Sequence, residues 1–251
     1  MLPVATTKHR RNGVRRLPSR MRVGNATAFV SEEYRSQQPV PGTVMPSEAE
    51  LRRALGSIPE DLNWDWARIR LTPLFERADA GGIDGDPTLH VVTPLGAAVG
   101  FGIDVGLTFA RVTRSMANRW EASLEQIEAA AFRHLDDAVR KITRRDLQHA
   151  VHRGHMMRCL PEPGGWASSV ILAGADAVMR IFGPQDQIFT VPSRNMLLSF
   201  EVSVPDQAIF DVTASLEELD PHPLMLDPFR LIGGRLTWDG VVPDIQDESV
   251  R

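Results

Sequence analysis

The chain is poor in cysteine, lysine and tyrosine, and these shortages exclude some classes of protein. Its 251 residues include a single cysteine, Cys159, which excludes any intramolecular disulfide and any cysteine-rich zinc module. One cysteine also fits a reducing, cytoplasmic compartment. Tyr34 is the only tyrosine, and all basic residues except Lys8 and Lys141 are arginines, a bias typical of a GC-rich genome. The 43% hydrophobic content allows a buried core and excludes disorder of the whole chain.

Long apolar runs and recognised catalytic motifs are also missing. The most apolar stretch, residues 91–110, contains Pro94 and several glycines, which indicates strands and turns rather than a membrane-spanning helix. No dinucleotide-binding fingerprint, Walker loop or Gly-x-Ser-x-Gly elbow occurs. The sequence therefore predicts no transmembrane segment, no catalytic residue and no cofactor.

Positive charge is concentrated at the N-terminus. Residues 1–22 carry +7 and the first acidic residue is Glu32, so the net charge of −4 conceals −11 on the rest of the chain. The basic residues of this segment are Lys8, Arg10, Arg11, Arg15, Arg16, Arg20 and Arg22. No apolar periodicity accompanies them, which predicts a disordered basic arm.

The sequence leaves three interpretations of the basic arm. It can hold nucleic acid or another anionic surface by nonspecific electrostatics, it can fold back on the acidic body, or it can be a solvated tail. It lacks the apolar stretch of a secretory signal. We predict an arm and linker over residues 1–46, one domain over residues 47–241 and an acidic tail over residues 242–251.

Periodicity and capping signals predict helices and strands in alternating groups. Helices are predicted at 48–57, 124–140, 143–152, 167–182 and 206–218, and strands at 67–71, 88–92, 97–104, 155–160, 187–191, 198–204 and 236–238. Ser123 and Gln126 form a capping box for the longest helix, and the polar side of the strand 198–204 is expected to face solvent. This order favours an α+β fold, a single compact domain with a largely antiparallel sheet packed by helices.

A cluster of metal-ligand residue types lies near the middle of the chain. His149, His152, His155 and Cys159 supply three imidazoles and a thiol, which suit zinc or a similar metal. If they converge, the protein is a metal-dependent hydrolase. The alternative interpretation is a helix C-terminus, where histidines interact favourably with the helix dipole.

Two tryptophans and two arginines alternate before Leu71. On a continuous strand Trp64, Trp66, Arg68 and Arg70 share one side, and such an aromatic and basic face can anchor a protein partner or stack on bases. The alternative is a tryptophan pair that covers a sheet edge, with arginine stems lying across it.

Three segments resemble the YtpQ-like family of uncharacterised bacterial proteins. They are the run 120–135, the small-residue helix 167–182 and the run 189–198, which contains Pro192, Arg194 and Asn195 in a predicted hairpin turn. The resemblance covers roughly residues 85–240 and implies a bacterial, cytoplasmic α+β protein without an established activity. It makes these three turn residues the positions to watch, although the family more often has Asp where this chain has Asn195.

The sequence as a whole favours a non-enzymatic protein that binds a protein partner. This hypothesis depends on the missing catalytic motifs, the segregated charge and the possible tryptophan and arginine face, with Arg194 and Asn195 as further contacts. The alternatives are the metal-dependent hydrolase and nonspecific nucleic-acid binding through the basic arm.

Overall fold

The computed structural model describes residues 48–59, 62–75, 86–106, 109–152, 154–161, 165–219, 224 and 226–240. The predicted basic arm and acidic tail lie outside these residues. Within these ranges, no helix has both the length and the apolar character needed to cross a membrane.

The described chain contains helices and antiparallel strands, which confirms the predicted α+β class. The α-helices are α1 (Glu48–Leu55), α2 (Trp64–Ala67), α3 (Arg114–Trp120), α4 (Leu124–Val139), α5 (Ala175–Phe182) and α6 (Asp206–Glu217), and short 3-10 helices occur at Arg144–Asp146 and Ala167–Ala173. The strands are β1 (Leu71–Phe75), β2 (His90–Val92), β3 (Ala98–Asp104), β4 (Phe109–Arg111), β5 (Gln148–His152), β6 (His155–Pro161), β7 (Gln187–Ser193), β8 (Met196–Glu201), β9 (Phe229–Ile232) and β10 (Arg235–Trp238).

A small four-stranded sheet is built around β3. Strand β1 pairs with one edge of β3, and β2 and β4 pair with the other edge. Pro73 in β1 has no N–H, which is tolerated because β1 is an edge strand. The carbonyl groups of that edge accept hydrogen bonds from side chains instead, since His134 Nδ1 lies 2.9 Å from the Leu71 oxygen and Ser169 Oγ lies 2.6 Å from the Pro73 oxygen. The edge is thereby blocked against pairing with another strand.

The large sheet has six antiparallel strands in the order β10-β9-β7-β8-β6-β5. Because side chains alternate along each strand, the sheet has two faces with different cover. The inner face contains Leu160, Phe189, Val191, Leu197 and Phe229, and it packs in one cluster with residues of α4, α5 and the small sheet. The outer face contains Met157, Cys159, Ile188, Leu198 and Phe200, and it packs against Ile209 and Val212 of α6.

Helix α4 connects the two sheets. Ser123 and Gln126 form the predicted capping box at its start. Its first buried residues, Ile127 and Ala131, join the cluster beneath the small sheet, while its later ones join the inner-face cluster. The spacing of Leu124 with Ile127 and Ala131 predicts that it shares their buried face, but Leu124 is 38% exposed at the first residue of the helix.

The predicted strand at residues 67–71 is wrong. The Asn63 side chain accepts a hydrogen bond from the Trp66 N–H at 3.0 Å and so caps the helix α2, which ends at Ala67. A turn follows, and the strand begins only at Leu71. Trp64 and Trp66 therefore lie on a helix, and Arg68 and Arg70 lie in the turn that follows it.

The predicted helix at residues 143–152 is also wrong. A 3-10 turn at Arg144–Asp146 is followed by β5, which pairs with β6 in register from Gln148 with Cys159 to His152 with His155. The pairing of two neighbouring strands decides the conformation here, and it overrides a pattern that fits a helix equally well.

The predicted helix at residues 167–182 is interrupted at Gly174. This glycine has φ 89° and separates the 3-10 helix Ala167–Ala173 from α5. The predicted polar side of residues 198–204 is also partly wrong, because Ser199 is fully buried and the strand ends at Glu201. Strands β4 and β9 were not predicted.

Candidate functional site

The four predicted metal ligands do not converge. In an antiparallel pair, residues opposite each other point to the same face, so His149, which pairs with Arg158, lies on the face opposite to that of Cys159. His155 and Cys159 are four residues apart along one extended strand, roughly 13 Å by standard strand rise. No group of three or more His, Cys, Asp or Glu residues in the described part of the chain is arranged to hold a metal ion. The predicted metal site is therefore not formed.

Cys159 is buried in the outer-face core. It is 2% exposed and packs with Met157 and Leu198. Burial raises the pKa of its thiol to about 12, so the side chain is a neutral thiol at physiological pH. A thiol in this state is a poor nucleophile and a poor metal ligand.

The predicted tryptophan and arginine face is divided into separate contacts. Trp64 packs against Trp120, with ring centroids 5.9 Å apart. The Arg70 guanidinium lies 4.3 Å from the centre of the Trp66 ring and donates to the Trp66 carbonyl at 3.0 Å. Arg68 is paired with Asp65 at 3.0 Å. These four side chains do not form one binding face.

The turn that contains Arg194 and Asn195 joins β7 to β8, as predicted. It is packed rather than projecting, because Arg194 accepts a backbone hydrogen bond from Ser168 at 3.1 Å. A Cβ atom on Gly165 would lie 3.2 Å from Asn195 Oδ1, which shows how closely the two segments approach. Both turn residues are half-buried, and they hold the 3-10 helix Ala167–Ala173 against the sheet.

A groove of about 380 Å³ lies along α6 on the outer face of the large sheet. Ile188 and Thr190 of β7 form its floor, and the segment that leads into β9 forms the wall opposite the helix. The helix itself is anchored by Thr213, which donates to Thr190 Oγ1 at 2.9 Å across the interface. We name this feature the α6 groove. Its helical wall consists of Asp206, Ile209, Phe210, Thr213, Ala214 and Glu217, and its other lining residues include Leu226, Asp227, Pro228, Arg230 and Asp239.

Phe210 lies on the rim of the α6 groove and is 66% exposed. Its neighbour Ile209 is 3% exposed and packs into the outer-face core. The same turn of helix therefore both holds α6 on the sheet and presents an aromatic ring to solvent. A large exposed aromatic side chain next to an apolar floor is typical of a protein interaction site.

The rim of the α6 groove is acidic. Among the described residues, four carboxylates and a single guanidinium, that of Arg230, line it, which gives these residues a net charge of −3. Arg230 is held by Asp239 at 2.5 Å and by Asp206 at 3.7 Å, and the Asp239 hydrogen bond raises the Arg230 pKa above its ordinary value. The one cation of the groove is thus partly neutralised, and the remaining negative potential favours a cationic ligand.

The sequence reasoning missed the α6 groove, although one signal was present. Phe210 lies in a predicted helix next to Ile209, and because neighbouring helix residues point about 100° apart, one of the two lies towards the margin of the apolar face. Comparison with family models, curated proteins and solved structures finds no match to this chain. The resemblance of residues 85–240 to YtpQ-like proteins therefore stays a prediction.

Proposed function

We propose that this protein acts by binding a partner protein, and that the α6 groove holds an extended, basic segment of that partner. The observation that carries the proposal is the exposed Phe210 ring beside an apolar floor with an acidic rim. The partner segment has apolar side chains that enter the groove and arginine or lysine side chains that meet the carboxylates. Bacterial origin and a cytoplasmic location stay predictions from the sequence.

Two sources of energy support this assignment. Burial of Phe210 and the groove floor removes apolar surface from water, which is the main favourable term in association. The carboxylates of Asp206 and Asp227 at the rim attract a basic segment and orient it, chiefly through the association rate. The basic arm of this chain, residues 1–22, is a competing occupant with suitable charge.

Fluorescence anisotropy with the full chain tests the proposal. The probe is a short labelled peptide that alternates arginine and leucine, and the control peptide has glutamate in place of arginine. We expect the arginine peptide to bind and Phe210→Ser to weaken it by about tenfold, because a buried aromatic anchor dominates such interfaces. Ile69→Ser is the matched control, since Ile69 is 60% exposed and lies outside the groove.

Four outcomes decide between the proposal and its alternatives. Equal binding of the two peptides, or an unchanged affinity in Phe210→Ser, overturns the proposal. If the arginine peptide binds only after residues 1–22 are deleted, the groove is occupied by the chain's own arm. If deletion of residues 1–22 instead removes a steeply salt-dependent affinity for nucleic acid, the arm supplies that separate function.

The metal-dependent hydrolase has no support from the described geometry. His149 and Cys159 lie on opposite faces of the large sheet, and the Cys159 thiol is buried and neutral.

A further inference from the structure

A second cavity of about 400 Å³ lies between α4, the small sheet and β6. It shares no lining residue with the α6 groove. Its volume is within the range of small-molecule sites, which are typically apolar with a few polar groups. Leu135 and Ile142 form one apolar wall, and Leu160 and Trp166 form another.

His134 presents one defined ring nitrogen to a ligand in this cavity. Its Nδ1 donates to the Leu71 carbonyl at 2.9 Å and lies 3.1 Å from Thr72 Oγ1, both in β1. A carbonyl oxygen only accepts, so the neutral ring carries its proton on Nδ1. Nε2 is then a hydrogen-bond acceptor, and among the described residues it has no hydrogen-bond partner.

Lys141 supplies the positive charge of the cavity. It follows α4 by two residues, and its side chain lines the opening. In the part of the chain that the structure describes, it makes no ion pair. The neighbouring cation Arg140 is instead paired with Asp137 at 3.3 Å. Lys141 is therefore available to an anion.

Two carboxylates also line the cavity, and each is held by the chain through one oxygen. Asp104 Oδ1 accepts from the Gly106 N–H at 2.6 Å. Asp146 Oδ2 accepts from the Thr143 N–H at 2.7 Å and from Thr143 Oγ1 at 2.9 Å, and these hydrogen bonds lower the pKa of Asp146. Together with Lys141 the two carboxylates give the described lining a net charge of −1, so a carboxylate ligand must also bring a donor, most favourably an ammonium group, to the opposite oxygens.

We propose that this cavity binds a small carboxylate that has an N–H or O–H donor on the neighbouring carbon and an apolar body. The carboxylate pairs with Lys141, the donor meets His134 Nε2, and the apolar body lies against Leu160 and Trp166. A neutral imidazole with its acceptor exposed disfavours a carboxylate at Nε2, which is why the donor and the carboxylate must be separate groups of the ligand.

Isothermal titration calorimetry of the full chain with four compounds of one skeleton tests this assignment. L-Phenylalanine and phenyllactate carry both the carboxylate and the donor, 3-phenylpropionate lacks the donor and phenylalaninamide lacks the carboxylate. Of L-phenylalanine and phenyllactate, we expect the one that binds more tightly to have at least about tenfold higher affinity than 3-phenylpropionate and phenylalaninamide. The reason is that a missing group leaves a polar partner in the cavity unsatisfied. That better compound identifies the donor as an ammonium or a hydroxyl group.

Three variants assign the contacts. Lys141→Met should weaken the complete ligand by about tenfold and leave phenylalaninamide unchanged, while the control Arg140→Gln should change neither. His134→Asn keeps a donor close to the Leu71 carbonyl but removes the Nε2 acceptor, so it should abolish the discrimination against 3-phenylpropionate. The proposal is overturned if no compound binds at millimolar concentration, if all four bind equally, or if Lys141→Met and Arg140→Gln act alike.

Discussion

The two faces of the large sheet belong to the same strands but are covered by different elements of the chain. On the inner face, α4, α5 and the small sheet cover an apolar cluster that also encloses a polar network. Gln187 Oε1 accepts from Ser199 Oγ at 2.5 Å and from Arg158 at 2.9 Å, beside Phe189, which packs edge-to-face with Phe182 at 5.1 Å. On the outer face, α6 covers the core but leaves the α6 groove, with Phe210 in solvent. The α6 groove thus lies where the helix leaves part of the outer face uncovered, whereas the second cavity lies beside α4 at the margin of the inner-face cluster.

Replacing a phenylalanine with alanine should give the largest difference in unfolding free energy between the two faces. Phe189→Ala on the inner face should lower the free energy of unfolding by about 3–5 kcal/mol, because it leaves a cavity in a packed core. Phe210→Ala on the outer side should change it by less than about 0.5 kcal/mol, since that ring is 66% exposed. Chemical denaturation measures both. Comparable losses in the two variants would contradict the assignment of Phe210 to binding.

A smaller effect is expected from the inner-face polar network. Gln187→Ala should destabilise the protein by about 1–3 kcal/mol, because Ser199 and Arg158 lose a buried acceptor. Ser199→Ala removes one donor and leaves Arg158 paired with Gln187, so its cost should be lower. Denaturant titration of the two variants checks this order. If Gln187→Ala left the free energy of unfolding unchanged, water would have replaced the lost hydrogen bonds, and this part of the inner face would be open to solvent.

The smallest effect is a pH dependence of the outer face through Cys159. Burial raises the thiol pKa from 9.0 to about 12. Above pH 9 the unfolded chain loses this proton while the folded chain keeps it, so the stability contribution is fully present below pH 9 and is lost as the pH rises toward 12. At pH 10 the loss is about 1 kcal/mol.

The measurement is the unfolding free energy of the natural chain and of Cys159→Ala at pH 8 and pH 10. We expect the difference in unfolding free energy between the natural chain and Cys159→Ala to be about 1 kcal/mol smaller at pH 10 than at pH 8. A constant gap would mean that the thiol is accessible to solvent, and the outer face would then be less well covered than the structure shows.

Local signals predicted the elements that depend on local contacts. The capping box of Ser123 and Gln126 and the spacing of Ile127, Ala131 and Leu135 indicate α4 because these residues meet within one helix. The hairpin of β7 and β8 follows from its turn residues in the same way. Strands β5 and β9 also belong to tight hairpins, in which His152 pairs with His155 and Ile232 pairs with Arg235 across Gly233 and Gly234, so their turns carried a local signal that the sequence analysis missed.

The candidate sites were harder to predict than the fold. The spacing of His149 and His152 predicts a shared face on a helix, but both residues belong to strand β5, and His149 lies on the face opposite to that of Cys159. His134 and Lys141 are ordinary residues of a helix and a following turn in the sequence. Their seven-residue spacing corresponds to about two helical turns, and the packing of α4 against β1 supplies a further wall of the cavity.

The separation of charge between the arm and the body, the single thiol, the long helix α4 and the antiparallel character of the fold can all be read from the sequence. These follow from composition and from contacts between residues that are close along the chain. Tertiary packing determines which face of each strand is covered, and therefore where Phe210 is exposed and which residues surround His134 and Lys141. The physical reason is that burial and strand pairing depend on residues far apart in sequence, whose contacts no local pattern specifies.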